Sequence, residues 1–149
     1  MPFYDSDQVI ERRLGCSIRE YFEREGEDAF RGHEEAVIND LCREPNGVLS
    51  TGGGAVLRAA NRQTLHDHSQ VIYLKANPDE LYRRLRQDVK RPLLQVADPL
   101  VRLRDLFALR DPLYTQTAHF IVETGRPSVA TLVNMIIMQL ELAGVLADR

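Results

Sequence analysis

The chain has few cysteines, few lysines and no long apolar stretch, and these absences exclude several classes of protein. Cys16 and Cys42 lie far apart and belong to no CxxC or Cys/His array, so the sequence predicts neither a disulfide framework nor a zinc site. No apolar run approaches the roughly 18 residues of a membrane span, and the N-terminus lacks a signal-peptide pattern. We therefore expect a soluble cytoplasmic protein with reduced thiols and no membrane partner.

The charge balance argues against nucleic acid as a partner. The net charge is -3, which gives the molecule no overall basic field. Lys75 and Lys90 are the only lysines, so nearly every cation is an arginine. The planar fork of arginine suits two-point contacts with carboxylate and phosphate groups, although a bias in nucleotide composition would give the same excess. With 149 residues and 44% hydrophobic content, the chain is predicted to form one domain with a single core.

Short apolar runs separated by segments of helical spacing predict alternating strands and helices. This alternation favours a parallel α/β sheet with helices on both faces. Asp111-Pro112 is expected to end a helix at Arg110, and residues 88–98 lose the periodicity and are predicted to form a loop. Residues 2–7 are predicted to form a short strand that runs into a polar turn, and the other predicted strands are residues 48–50, 71–74 and 119–122. The predicted helices are residues 9–14, 17–26, 27–43, 58–66, 78–85, 98–110 and 128–140. Ser17 is expected to cap the second helix and Ser128 the last, which should bury one apolar face.

Three consecutive glycines follow the second predicted strand. The run from Val48 to Val56 reads as a buried strand whose C-terminal end opens into a loop with bare backbone N–H groups. Such a loop can press its backbone against an anion or a hydroxylated ligand. The alternative is a tight turn that needs glycine only for its backbone conformation.

Carboxylates and arginines lie near the ends of these elements. Asp5 and Asp7 follow a strand, where one carboxylate could hold a magnesium shell and the other could accept a proton from an attacking hydroxyl; the alternative is a helix cap and its neighbour. Arg31 and Glu34 have the spacing of a surface ion pair, but the adjacent Phe30 places Arg31 near the edge of the core. Two further arginines, Arg91 in the loop and Arg110 at a helix end, could be ordinary surface residues or ligand contacts, and from the loop Arg91 could reach a transferring phosphoryl group.

Taken together, these residues resemble the shikimate kinase family along essentially the whole chain. Any one of the matching segments is common, but five of them in this order and spacing are specific. They are Asp5-Ser6-Asp7, Gly26-Glu27 with Phe30-Arg31-x-x-Glu34, Thr51-Gly52-Gly53-Gly54, Arg91-Pro92-Leu93-Leu94 and Arg110-x-Pro112-x-Tyr114. The resemblance implies a P-loop, nucleoside-monophosphate-kinase-like α/β fold. It also implies transfer of the ATP γ-phosphate to the 3-hydroxyl of shikimate, in chorismate and aromatic amino-acid biosynthesis.

The resemblance also implies roles for individual residues. Asp7 would contact the shikimate hydroxyls and accept the proton, and Asp5 would lie on the magnesium side. The substrate carboxylate would bind Arg31 and Arg110, with Glu34 orienting Arg31. The remaining roles are backbone contacts to the ring hydroxyls from Gly53 and Gly54, an aromatic pocket wall of Phe22 and Phe30, phosphate contacts from Arg91 in a lid at residues 88–98, and adenine contacts from Arg84 and Pro127. The expected ligands are shikimate, ATP and Mg²⁺, and the expected state of the complete protein is a monomer.

The sequence departs from the family in one respect. Shikimate kinases begin with a strand and a GxxxxGK(S/T) phosphate loop, and this chain has no such motif. We therefore expect a shikimate kinase domain over residues 1–149 that lacks the central first strand, the P-loop and the first helix. That absence would leave the strands at residues 48–50 and 71–74 unpaired or forced together. We expect such a chain to be marginally folded, prone to aggregation and of doubtful activity.

Two other functions remain open at this stage. One is a non-catalytic module that keeps the shikimate pocket and has lost nucleotide binding. The other is a related small-molecule kinase that acts on another polyol acid such as gluconate, which the combination of Arg31, Arg110 and Asp7 disfavours. Turnover separates the first alternative from a kinase, because both would bind shikimate.

Overall fold

Four short strands form two separate parallel pairs in the computed structural model, which describes residues 1–85, 98–125 and 128–146, the last two residues of the first range by backbone alone. β1 (Phe3–Asp5) pairs with β2 (Val48–Ser50), and β3 (Ile72–Lys75) pairs with β4 (Phe120–Glu123). The predicted parallel pairing is confirmed. Within the described ranges, each sheet has two strands.

Helices follow the strands in the predicted order. The chain divides into two compact units, residues 1–71 and 72–149. The helices are α1 (Ser6–Leu14), α2 (Ile18–Glu25), α3 (Glu27–Leu41), α4 (Ala59–His68), α5 (Pro78–Leu85), α6 (Pro99–Thr117) and α7 (Val129–Leu142). No helix in these described ranges is long and apolar enough to cross a bilayer.

The core of the first unit packs α1 and α4 against α3. Ile10 of α1 meets Phe30 and Val37 of α3, and all three side chains are buried. The next residue of α3, Ile38, packs with Ala55 and with Leu65 of α4. Because α3 contributes to both clusters, it is the central helix of this unit.

The segment after β2 is more regular than predicted. β2 ends at Ser50, as expected, but Gly53–Leu57 forms a turn of 3₁₀ helix in place of an open loop. Nor is the strand buried, because Val48 is 52% exposed. The short apolar run had suggested a strand covered on both sides, but β2 has a single hydrogen-bonded neighbour, β1, in the described part of the chain.

The predicted end of α6 at Arg110 is wrong. The helix passes through Pro112 and ends at Thr117. Proline removes one backbone hydrogen bond from a helix interior, so other contacts must offset this loss. Two of them come from β3: Tyr73 Oη donates to Asp111 Oδ1 over 2.8 Å, and the Tyr73 and Tyr114 rings lie 4.9 Å apart. Tertiary contacts on both sides of the proline therefore outweigh its local preference.

Helix α7 was predicted to bury one apolar face. Ser128 caps it as expected, but none of its residues is fully buried. Leu132, Ile136, Ile137 and Leu140 are half-buried, whereas Val129 is 78% exposed and Val133 is 47% exposed. The predicted loop at residues 88–98 lies outside the described residues except for Asp98, which precedes α6 with φ at 51°.

Candidate active site

Asp5 and Asp7 meet at the junction of β1 and α1. Asp5 is the N-cap of α1, and its Oδ1 accepts hydrogen bonds from the backbone N–H groups of Asp7 (3.0 Å) and Gln8 (3.3 Å). The cap that sequence reasoning offered as an alternative is therefore formed by Asp5. Asp7 lies in the first turn of α1 and is half-buried. The β1 strand and the cap together fix the direction of the Asp7 backbone.

The Asp7 carboxyl is a weaker acid than an exposed aspartate. Burial raises its pKa above the ordinary value of 3.8, and the negative charges of Asp5 and Glu11 raise it further. The positive charge of Arg31 acts in the opposite direction and lowers the pKa. The result is a carboxylate that holds a proton more readily than an exposed aspartate does.

Arg31 is held between two glutamates on α3. Its Nη1 donates to Glu34 Oε1 over 2.8 Å, while Nε and Nη2 lie 3.4 and 3.3 Å from Glu27 Oε1. The Arg31 side chain is 12% exposed and that of Glu34 is 1% exposed, so this is no ordinary surface ion pair. Glu27 is 59% exposed and forms the outer side of the arrangement.

Two phenylalanines border the Arg31 guanidinium. Gly26 takes a φ of 88° between α2 and α3, so that the end of one helix leads directly into the start of the next. The turn brings the Phe22 and Phe30 rings to a centroid distance of 4.8 Å. Arg31 Cζ lies 6.0 Å from the Phe22 centroid and 5.2 Å from that of Phe30. The rings shield the cation from water and strengthen its electrostatic interactions.

The glycine segment passes close to both Asp7 and Arg31. A Cβ atom added to Gly52 would lie 3.0 Å from Asp7 Oδ1, and one added to Gly54 would lie 2.6 Å from Arg31 Cζ. Any side chain at Gly54 would therefore displace the guanidinium. The first unit thus brings together Asp5, Asp7, Phe22, Phe30, Arg31, Glu34 and the segment containing Gly53 and Gly54.

The remaining predicted site residues belong to the second unit. Arg110 lies in the middle of α6; it is half-buried, and its Nε is buried without a hydrogen-bond partner among the described residues. The next residue, Asp111, accepts from Tyr73 and forms an ion pair with Lys75 over 3.5 Å. Arg84 belongs to α5, but its side chain is not described, and both Arg91 and Pro127 lie outside the described residues.

Sequence reasoning missed two acids next to these groups. Glu27 precedes Arg31 by one helical turn, and Glu11 follows Asp7 by the same spacing on α1. The i, i+4 spacing was available in both cases. Charged residues at this spacing are common on solvated helix faces, so the spacing alone assigns neither acid a role.

This arrangement combines the groups that phosphorylation of a small hydroxy acid needs. A shielded cation can bind a carboxylate, backbone N–H groups next to it can contact hydroxyls, and a half-buried carboxylate with a raised pKa can accept a proton. On an α/β fold of parallel strands, this combination is the one expected of the acceptor site of a small-molecule kinase.

Comparison with known proteins gives the family. A family model described as shikimate kinase matches residues 1–141. Shikimate kinase of Burkholderia thailandensis is 54% identical over 98% of this chain and 79% of its own length, and that of Burkholderia lata is 57% identical over 97% and 79%. The chain belongs to the shikimate kinase family, as the sequence motifs predicted.

Solved structures agree with this assignment. A shikimate kinase from Acinetobacter baumannii in complex with shikimate is 43% identical and superposes with a TM-score of 0.85, over 97% of this chain and 80% of that one. Shikimate kinase from Bacteroides thetaiotaomicron is 30% identical with a TM-score of 0.84, over 97% of this chain and 84% of that one. The predicted α/β kinase fold is confirmed.

Proposed function

We propose that this protein transfers the γ-phosphate of ATP to the 3-hydroxyl of shikimate. The observation that carries the proposal is the Arg31 guanidinium, which is largely covered by Glu34 and Phe30 and lies against Gly54. A cation shielded in this way is suited to a small carboxylate ligand, because the energy of its contacts is not lost to water. Family membership and the shikimate-bound relative support the choice of substrate.

Each shikimate group has a proposed partner. The carboxylate binds Arg31 and Arg110, with Glu34 holding Arg31 in place. The ring hydroxyls contact the backbone of Gly53 and Gly54. The ring itself lies against the wall formed by Phe22 and Phe30.

Asp7 is the proposed proton acceptor. As the 3-hydroxyl oxygen forms its bond to the γ-phosphorus, the bond from that phosphorus to the ADP oxygen breaks, and the hydroxyl proton passes to Asp7. Burial raises the pKa of Asp7 and so makes it a better acceptor, while Arg31 limits the rise and keeps the carboxylate available. The two effects suit a base that must be ionised before the reaction and protonated after it.

The nucleotide would be bound by residues nearer the C-terminus. We propose that Arg84 and Pro127 contact adenine and that Arg91, in a lid at residues 88–98, contacts the phosphates. Magnesium usually binds proteins through one or two carboxylates and completes its shell with water and phosphate oxygens. Asp5 suits this role because its described hydrogen bonds use only Oδ1, although the described residues contain no cluster of three acidic, histidine or cysteine ligands. A bound Mg²⁺ would neutralise charge on the transferring phosphoryl group.

A kinetic comparison tests the assignment of Arg110. Arg110→Ala is expected to raise the shikimate KM by about 10- to 100-fold, because a charged hydrogen bond to the substrate carboxylate is lost. The matched control is Arg104→Ala on the same helix, where Arg104 is 57% exposed and pairs with Asp79 over 2.9 Å. Steady-state ADP release at varied shikimate gives both constants, and equal KM values in the two variants would remove Arg110 from the carboxylate site.

Calorimetric titration with shikimate in the absence of nucleotide completes the test. Binding together with shikimate-dependent ADP release is the expected result. Binding without any ADP release would instead make the protein a binding module. Phosphorylation of gluconate but not shikimate would show that the substrate is a different polyol acid.

A further inference from the structure

Arg58 connects the glycine segment to helix α3. It follows the 3₁₀ turn that contains Gly54 and precedes the first residue of α4. Its Nη2 donates to the backbone carbonyl (3.2 Å) and to Oδ1 (2.9 Å) of Asp28, and its Nη1 donates to Glu35 Oε2 (3.3 Å). One guanidinium therefore reaches two positions on α3 that are seven residues apart.

The two positions flank Arg31. Residues 28, 31 and 35 have the i, i+3, i+7 spacing of a single helix face. Arg58 thus binds α3 about one turn before Arg31 and one turn after it, on the face from which the Arg31 side chain projects. Gly54, four residues before Arg58, lies against the guanidinium of Arg31.

Two other hydrogen bonds of this turn lead to α4. Asn61 Nδ2 donates to the Ala55 carbonyl over 2.9 Å, and Arg62 Nη1 donates to the Val56 carbonyl over 2.6 Å. Both donors belong to α4, so these bonds hold the turn to α4 and not to α3. Ala55 packs on Ile38 of α3. An apolar contact is not directional, so it restrains movement of the turn along α3 less than a hydrogen bond does.

We propose that Arg58 is a positioning residue that sets the separation between the Gly53–Gly54 backbone and the Arg31 guanidinium. This inference rests on the proposed function, in which shikimate bridges these two groups through its hydroxyls and its carboxylate. If the separation between the two groups changes, shikimate can no longer contact the glycine backbone with its hydroxyls and Arg31 with its carboxylate at the same time. Arg58 therefore acts on shikimate affinity and touches neither substrate.

Partial exposure is compatible with this role. The Arg58 side chain is 30% exposed, and a single ion pair at such a position contributes little stability. Arg58 instead satisfies three acceptors from one rigid fork, which fixes direction better than a lysine ammonium would. The expected effect is on the geometry of the site more than on the free energy of unfolding.

The test compares Arg58→Ala with Arg13→Ala. Arg13 also ties another element to α3, through Nη1 to Asp40 Oδ2 over 2.8 Å, but at the opposite end from Arg31. Both variants should lower Tm by a similar small amount. Only Arg58→Ala should raise the shikimate Kd and KM, by about 5- to 20-fold, with kcat within about twofold of the unmodified protein. Arg58→Lys should lie between the two, because it keeps the charge and loses the fork.

A second readout does not depend on shikimate. The amide resonances of Gly53 and Gly54 and the Nε–H resonance of Arg31 should shift in Arg58→Ala and stay in place in Arg13→Ala. Asp28→Ala, which removes a fully exposed acceptor and leaves the core intact, should shift the same resonances to a smaller extent. If Arg58→Ala does not fold, the resonance shifts in Asp28→Ala alone test the positioning role of Arg58.

The outcomes separate this inference from the proposed function. Unshifted resonances, or an affinity loss equal to that in Arg13→Ala, would overturn the positioning role of Arg58. If the unmodified protein failed to bind shikimate, the proposed function would fall together with the affinity effect. Shifted resonances would then support only the geometric part of the inference.

Discussion

At the scale of single residues, Asp7 shows how a proposed catalytic group can cost stability. Its raised pKa means that the folded protein holds a proton to higher pH than the unfolded chain, whose aspartate titrates near 3.8. The stability contributed by the protonated form is therefore complete below pH 3.8 and is lost as pH rises through the folded-state pKa. At neutral pH the ionised carboxylate destabilises the fold.

We expect Asp7→Asn to abolish turnover and to raise Tm slightly at neutral pH. The gain should not exceed about 2 °C, since the half-exposed carboxylate is partly screened by water. It should shrink as the pH is lowered from about 7 to about 4, because the parent carboxyl then becomes protonated. Thermal unfolding across this range measures the effect, with Asp105→Asn as the control for loss of an exposed charge. A constant difference in Tm at all pH values would contradict the assignment to Asp7.

At this scale, the sequence predicted which side chains would pair better than it predicted how deeply each pair would be buried. The i, i+3 spacing of Arg31 and Glu34 predicted the ion pair, and the neighbouring Phe30 indicated a site near the core. It could not predict that Glu34 would be 1% exposed, because that burial comes from elements distant in sequence. The role of Arg58 had no local signal either, since its acceptors lie 30 and 23 residues away.

At the scale of elements, α6 is the clearest conflict between local preference and tertiary structure. Asp111-Pro112 predicts a helix end, yet the helix continues, with Asp111 held by Tyr73 and Lys75 from β3. Burial, followed by the hydrogen bond to the Asp111 carboxylate, raises the pKa of the Tyr73 hydroxyl, so the phenol stays protonated and remains the donor. The caps formed by Asp5 and Ser17, in contrast, depend on residues two or three positions away and were predictable.

Tyr73→Phe should therefore destabilise the protein by about 1 kcal/mol, as expected for loss of a partly buried hydrogen bond to a charged group. Lys75 still pairs with Asp111 in this variant, which limits the loss. Urea unfolding gives the free energy. Tyr21→Phe is the matched control, since the Tyr21 hydroxyl has no hydrogen-bond partner in the described part of the chain and its ring contacts His33. Equal midpoints for the two variants would show that the Tyr73 hydroxyl does not help α6 to pass through Pro112.

At the scale of the whole molecule, buried apolar side chains are unevenly distributed. Among the described residues, seven of the nine buried apolar side chains lie before residue 72, and only Leu103 and Val122 lie after it. Leu74 of β3 and Ile121 of β4 are 53% and 43% exposed. Apolar patterning predicted which segments would become strands and helices, but not how completely each would be covered, because coverage depends on the layers packed on top.

This distribution predicts unequal local stability. Amides of α3, whose Phe30, Val37 and Ile38 are buried, should exchange with solvent only on global unfolding, whereas those of α7, which has no fully buried residue, should exchange through local opening. We expect protection factors at least about 100-fold higher for residues 27–41 than for residues 129–142, measured by hydrogen exchange and mass spectrometry.

The same uneven burial predicts a broad thermal transition with aggregation, since exposed apolar side chains favour association. Equal protection of the two helices, together with a sharp and reversible transition at micromolar concentration, would show that the chain unfolds as one cooperative unit despite its exposed apolar surface.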